Sequence, residues 1–216
     1  VLYVNSIVPY KQRKVKILNG SHTCLVPVSY LAGIDTVRET IEDPQLGKFV
    51  REYIFDEVIP TIDIPHDQMV AYSNSVLERY GNPFVRHELM SIALNSVTKY
   101  KTRNLPVVLQ SIEAGSFPKH ALFSLAALIA FYRGKRGNED IALKDDEWAL
   151  DFFKKEWSNF DGSKEACRRI VTDFLGLEHH WELNLNNLKG VTDFVTDCLY
   201  EIETKPMREA LAFIGC

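Results

Sequence analysis

The chain has 216 residues, 46% of them hydrophobic, and a formal net charge of −4. That length suits one sizeable domain or two small ones, and the composition excludes a disordered or collagen-like chain. The acidic balance argues against a dedicated nucleic-acid binder, although Lys11, Arg13, Lys14 and Lys16 form a local basic run.

Residues Val1 to Val8 look extended, and the basic run that follows leads into an apolar helix. Pro27 falls inside the apolar run Cys24 to Leu31, where it should bend the axis, and Gly33 closes the segment. Leu46, Phe49, Val50, Tyr53 and Ile54 make a clean helical stripe. Val85, Leu89 and Ile92 suggest a second stripe, ahead of Lys99, Lys101 and Arg103. Ala121 to Tyr132 is the longest apolar stretch; it is too short to span a bilayer and suits a buried core helix. Gly134 to Ile141 reads as the main internal loop. Asp145 is placed to cap a helix bearing Trp148 and Phe152. Ser163 is placed to cap one bearing Ala166, Ile170 and Phe174, with Glu165 favourable in its first turn. Leu188, Val191, Val195, Cys198, Leu199 and Ile202 make a last stripe, with Asn187 at its start. Strand-like alternation is scarce. The expectation is a mainly α, multi-helix chain forming one domain over residues 1–216.

Metal chemistry finds no support in spacing. His179 and His180 are adjacent and diverge on any regular element, and His87-Glu88 lacks the second histidine of a zinc motif. Cys24, Cys167, Cys198 and Cys216 form no CxxC pair, which suits free thiols in a reducing, cytoplasmic compartment. No glycine-rich nucleotide fingerprint occurs. One group gathers an amine, an amide and an imidazole: Lys14, Asn19 and His22. On an α-helix they fall at roughly 0°, 140° and 80°, over a rise of ~12 Å, so all three can open onto one broad face. The same residues also fit a solvated lysine, an asparagine near a helix start and a histidine bonded to backbone. Lys99, Lys101 and Arg103 either share an anion, a carboxylate or phosphate, or form a solvated helix end.

Lys14-xxxx-Asn19-xx-His22 resembles the signature of the polyol-specific long-chain dehydrogenase/reductases, the mannitol dehydrogenase family. The fuller wording Tyr10-Lys-Gln-Arg-Lys-Val-Lys-Ile-Leu-Asn-Gly-Ser-His22, then Val26-Pro-Val-Ser-Tyr-Leu-Ala-Gly33, is similar to the uronate branch of that family. So are Asn82-Pro-Phe, His87-Glu-Leu, Leu94-Asn-Ser, Lys99-Tyr-Lys-Thr-Arg103 and Phe123-Ser-Leu-Ala-Ala-Leu-Ile-Ala-Phe-Tyr-Arg-Gly134. The resemblance implies the helical C-terminal substrate domain of an oxidoreductase whose N-terminal Rossmann domain holds NAD, with residues 1–12 as a lead-in from that domain. It implies that Lys14 is the general acid/base and that Asn19 is one of two amides stabilising the developing oxyanion. His22 would orient a substrate hydroxyl, and no metal would be needed. The basic stretch at Lys99, Lys101 and Arg103 would suit a uronate carboxylate. The implied partners are a small sugar acid or ketose and the Rossmann domain of the same protein, with neither nucleic acid nor membrane. Within the family the alternatives are another keto-uronate or a neutral ketose. Outside it, the alternative is a helical interaction module whose basic N-terminal segment binds an acidic partner.

Overall fold

A computed structural model of the chain describes residues 7–216. The extended look of Val1 to Val8, and the first half of the 1–12 lead-in, fall mostly outside the described residues. From Val8 onward the lead-in is helical. Helix α1 (Val8–Arg13) passes without a break into a π-turn (Lys14–Asn19) and then into α2 (Gly20–Leu31). The helix continues through Pro27, and within this stretch the Ser124 hydroxyl donates to the Cys24 carbonyl at 2.8 Å.

Helix α3 (Val37–Glu42) starts from a capping box, in which the Thr36 hydroxyl accepts from the Glu39 N–H and the Glu39 carboxylate accepts from the Thr36 N–H. Asp43 ends it and caps α4 (Pro44–Glu52), which runs into a second π-turn (Tyr53–Val58). The stripe of Leu46, Phe49, Val50, Tyr53 and Ile54 is fully buried, as its spacing implies. Then follow α5 (His66–Tyr80), a single turn α6 (Leu89–Ile92), α7 (Ser96–Arg103) and α8 (Leu105–Glu113). In α9 (Lys119–Phe131) every residue from His120 onward is buried, so this helix is apolar all round because it has no solvent face. Both α2 and the later α13 (Val191–Thr204) pack against it. Between them lie α10 (Glu147–Ser158), α11 (Lys164–Leu175) and the single turn α12 (Glu178–Trp181), and α14 (Met207–Leu211) follows. The chain is mainly helical, and one hydrophobic core cluster draws on residues from Ile17 to Ile214. Among the described residues no helix is long and apolar enough to cross a membrane.

Four local expectations changed. Gly134 to Ile141 is a tight hairpin pairing Lys135 with Asp140 and Arg136 with Glu139, its turn closed by Gly137 at φ 59. Val85 is not part of a helical stripe: it is 56% exposed, because the Asn82 side chain caps the Phe84 N–H and Glu88 bridges to Thr36. Asp145 caps α7 through the Val97 N–H rather than the Trp148 helix, whose N-cap is Asp146. The last stripe begins at Gly190, in the left-handed region, because Asn187 is used in a preceding 3-10 turn. The Ser163 cap is as expected, accepting from the Ala166 N–H.

Gly47 sits where α4 turns against the end of α3, and a Cβ built there would lie 2.7 Å from the Ile41 carbonyl oxygen. Backbone cannot yield as a flexible side chain does. Gly47→Ala should therefore destabilise the protein by ~1–3 kcal/mol, the usual cost of overpacking, despite alanine's better helix propensity. Urea unfolding checks this, and an unchanged or raised midpoint would show that the α3–α4 corner relaxes freely.

Candidate active site

In an α-helix, residues five apart diverge by roughly 140°. The π-turn narrows this divergence to roughly 50°, because its i→i+5 ladder fits more residues into each turn. The Gly20 N–H reaches back to the Val15 carbonyl, and Lys14 and Asn19 open and close the same turn. The wide turn therefore brings the amine and the amide onto one side of the rod. His22 follows Asn19 by three residues of ordinary α-helix, which keeps it on that side as well.

A widened turn leaves backbone carbonyls needing donors, and side chains supply them. The Tyr80 hydroxyl donates to the Leu18 carbonyl at 2.7 Å and lies 2.8 Å from the Ser21 hydroxyl. The Asn104 amide donates to the Gly20 carbonyl at 3.0 Å. Thr23 Oγ1 donates to the Asn19 carbonyl at 3.0 Å, and Arg103 Nη1 reaches the same carbonyl at 3.4 Å. Gly20 leaves room here, because a Cβ would come to 3.3 Å from the Tyr53 hydroxyl.

The His22 ring stacks on Tyr80 with centroids 4.4 Å apart and meets the edge of His87 at 5.0 Å. Burial, then the neighbouring His87 and Arg103, pushes its pKa down to about 3, so the imidazole is neutral. Its Nε2 is buried with no hydrogen-bond partner among the described residues. A neutral ring with one open nitrogen can give or take a hydrogen bond from a hydroxyl. Lys14 is exposed, and neither its amine nor the Asn19 side-chain amide bonds to any described residue.

The basic stretch divides by helical spacing. Lys99 and Arg103, four apart, share a face of α7. Arg103 donates to Thr23 Oγ1 at 3.1 Å beside the Asn19 carbonyl, and Lys99 Nζ donates to the Ile92 carbonyl at 2.8 Å. Neither is ion-paired among the described residues, and burial holds both below their ordinary pKa values. Lys101 turns away and pairs with Glu182 at 2.7 Å, so the structure does not bring it to His22. Tyr80 and His87 also adjoin the site: the sequence marks His87 only as half of an incomplete zinc motif and within a family-like segment, and gives no signal for Tyr80.

The N-terminal basic run does not form one surface. Lys16 is buried, with Nζ held by the Thr61 carbonyl at 2.8 Å and Gln110 Oε1 at 2.6 Å. The Arg13 guanidinium lies over the Tyr72 ring, 4.1 Å from its centroid. Two of the four cations on which a basic docking segment for an acidic partner would draw are thus engaged internally, while Lys11 and Lys14 are exposed.

A family model described as the mannitol dehydrogenase C-terminal domain matches residues 6–203. The chain is 44% identical to an altronate oxidoreductase of Klebsiella pneumoniae (strain 342) over 212 residues, covering 98% of this chain and 44% of that protein. It is 42% identical to an altronate oxidoreductase of Escherichia coli O1:K1 / APEC, with the same coverage. The chain thus spans less than half the length of these relatives. Among solved structures, a ternary complex of Pseudomonas fluorescens mannitol 2-dehydrogenase with NAD and D-mannitol superposes with a TM-score of 0.87 at 20% identity, covering 99% of this chain and 42% of that one. A substrate-free D-sorbitol dehydrogenase superposes with a TM-score of 0.76 at 21% identity, covering 96% and 41%. At such identities these two likenesses speak to the fold, which they share with this chain. The extent of the family match and the identity to the curated relatives together decide membership: the chain belongs to the mannitol dehydrogenase C-terminal domain family.

Proposed function

We propose that this chain is the substrate-holding and catalytic portion of a two-domain, NAD-dependent oxidoreductase that interconverts D-tagaturonate and D-altronate. The observation that carries the reading is a half-buried Arg103 without a carboxylate partner, lying beside Asn19 and an imidazole with an open nitrogen. A polyol site needs hydrogen-bonding groups for hydroxyls, and a uronate site needs a cation in addition. The names carried by the 42–44% identical relatives support the same substrate class.

The described residues include no strand, glycine turn and helix in succession, and so do not fit a dinucleotide by themselves. In this reading NAD is held by an N-terminal Rossmann domain and supplies the hydride acceptor. The residues here handle oxygen and proton. Lys14 Nζ takes the hydroxyl proton during oxidation and returns it during reduction. The Asn19 amide donates to the oxygen as negative charge builds on it, and does not compete for the proton. The neutral His22 binds a neighbouring hydroxyl, and the stacked Tyr80 holds its ring in place. Lys14 is exposed here, so exclusion of water from its amine falls to the domain that closes over this face.

Lys14→Ala in the full-length enzyme should fold normally and lower kcat by ~10²–10⁴, the usual contribution of a positioned acid/base. Steady-state kinetics on both reaction directions checks it, and near-normal turnover with an unchanged pH profile would remove Lys14 from the mechanism.

Substrate charge separates the uronate reading from the others. Arg103→Gln should reduce kcat/KM for tagaturonate by ~30-fold or more, equivalent to about 2 kcal/mol for a partly shielded charged hydrogen bond. The already poor value for fructose should stay nearly flat. Lys101→Gln, which loses only an exposed pair with Glu182, should change tagaturonate kinetics less than about twofold. Parallel losses for both substrates in Arg103→Gln would assign that residue to the fold alone, and a wild-type preference for fructuronate or fructose would replace the substrate.

The His22 ring should remain neutral between pH 5 and 8, seen as a flat chemical shift of its ring proton in an NMR titration. Its folded pKa lies below the unfolded value of about 6.5. The unfolded chain therefore binds the proton first, so stability is fully present above pH ~6.5 and is lost as pH falls from there towards 3. His22→Gln should flatten that acid-side decline in unfolding free energy, and an unchanged decline would place the titrating group elsewhere.

A further inference from the structure

The second π-turn creates a different convergence. Glu52 precedes the turn and Glu57 lies within it, five residues on, and the Ile59 N–H reaches back to the Ile54 carbonyl in the same i→i+5 pattern. Stacked by that wide turn, the two carboxylates meet opposite nitrogens of one imidazole. His120 Nδ1 lies 2.8 Å from Glu57 Oε1, and His120 Nε2 lies 2.9 Å from Glu52 Oε2. His120 is 1% exposed. Cys216 Sγ completes the group, 3.3 Å from Glu52 Oε2 and 3.5 Å from His120 Nε2.

Hydrogen bonding sets the polarity of this cluster. Glu57 accepts from the His120 N–H at 2.7 Å and the Ala121 N–H at 2.9 Å, at the start of the 13-residue α9. These donors and the positive end of the helix dipole all face the Glu57 carboxylate, whose oxygens can only accept from them. Glu57 Oε1, 2.8 Å from Nδ1, is the acceptor that places the ring proton on Nδ1. In the neutral ring, Nε2 is then a bare lone pair facing a carboxylate oxygen at 2.9 Å, an arrangement that requires a proton or a cation between them. A histidine that donates its far nitrogen to a carboxylate is the usual support for a metal ligand.

We infer that Glu52 Oε2, His120 Nε2 and Cys216 Sγ form a binding site for a zinc-type divalent cation, with a fourth position open to water. One imidazole, one carboxylate and one thiolate are a borderline donor set that suits zinc over calcium or magnesium. Tetrahedral zinc with ordinary bond lengths separates nitrogen and oxygen ligands by ~3.3 Å and pairs including sulfur by ~3.5 Å. The two sulfur separations are already within about 0.2 Å of this, and only the nitrogen–oxygen pair must open. The thiol is also held in place. Lys48 Nζ donates to the Gly215 carbonyl at 2.7 Å, Lys119 Nζ to the Ile214 carbonyl at 2.6 Å, and Gln45 Nε2 to the Cys216 carbonyl at 3.3 Å. The other three cysteines are buried away from any comparable group. The ion would staple residues 212–216 to α9 and to the end of α4, a structural role separate from the chemistry at Lys14. This departs from the sequence reading, which expected no metal. Ligands at positions 52, 120 and 216 have no local spacing to betray them.

The test is Co²⁺ and Zn²⁺ loading of chelator-treated full-length protein. The wild type should bind one Co²⁺ at this site with thiolate-to-cobalt charge-transfer absorption in the near ultraviolet. Zn²⁺ should displace it and raise the Tm. Cys216→Ser should lose that absorption, and Glu52→Gln should keep the fold while weakening Zn²⁺ affinity at least tenfold. Circular dichroism verifies that both variants fold. A wild type that gains neither absorption nor thermal stability with either ion would overturn the proposal, leaving a hydrogen-bonded Glu–His–Cys cluster. Unchanged absorption and affinity in folded Cys216→Ser would overturn it as well, by placing the metal elsewhere.

Discussion

Two wide turns in otherwise ordinary helices set the positions of the chemically active side chains. A π-turn costs regular backbone hydrogen bonds and is retained where the surroundings satisfy the carbonyls it loosens. Here the two turns are connected. The Asn104 amide bonds both the Gly20 carbonyl, at the end of the first, and the Tyr53 hydroxyl, which opens the second, at 3.0 and 2.9 Å. Gly20 lets the Tyr53 hydroxyl approach the backbone closely. Asn104, Tyr53 and Tyr80 are all buried, so the donors that satisfy the turns are themselves fixed by the core. Loosening any of them would let the helix revert towards i→i+4 pairing and rotate the residues five apart away from each other.

The core supplies the rigidity this requires. Helix α9 has no exposed face beyond its first residue, and it takes packing from α2 on one side and α13 on another. One of its few polar groups, the Ser124 hydroxyl, bonds the α2 backbone near Pro27. The rod that bears Lys14, Asn19 and His22 is therefore anchored downstream of the site, while its upstream end at Ile7 and Val8 is exposed. Phe84 is also 94% exposed, in the segment between α5 and the site-adjacent His87.

Electrostatics follows burial in both clusters. At His22 burial, then the nearby His87 and Arg103, holds the ring neutral, and Arg103 has no carboxylate partner among the described residues. At His120 the neighbours are two carboxylates, one at each ring nitrogen. Two imidazoles of equal intrinsic character thus sit in opposite surroundings because of what packs against them.

Much of the helical scaffold was legible in the sequence. The Leu46–Ile54 stripe, the all-apolar α9 and the Ser163 cap follow from periodicity and capping chemistry, which are local and read directly from residue order. The family and its lysine–asparagine–histidine pattern were also present in residue order. The sequence alone could not reveal that Lys14 to Asn19 forms a π-turn, since that depends on donors from Tyr80, Arg103 and Asn104, which are remote in sequence. Nor could it separate Lys101 from Lys99 and Arg103, because that division depends on Glu182 lying opposite one face of α7. Asp145 was read as the cap of the nearer helix and serves another, since a carboxylate can reach whichever helix end folding brings to it. The sequence by itself determined that the chain is mainly helical, where its most apolar helices run and which family it belongs to. Only the tertiary structure decided which side chains meet, because widened turns, orphaned nitrogens and unpaired cations arise from contacts between residues far apart in the chain.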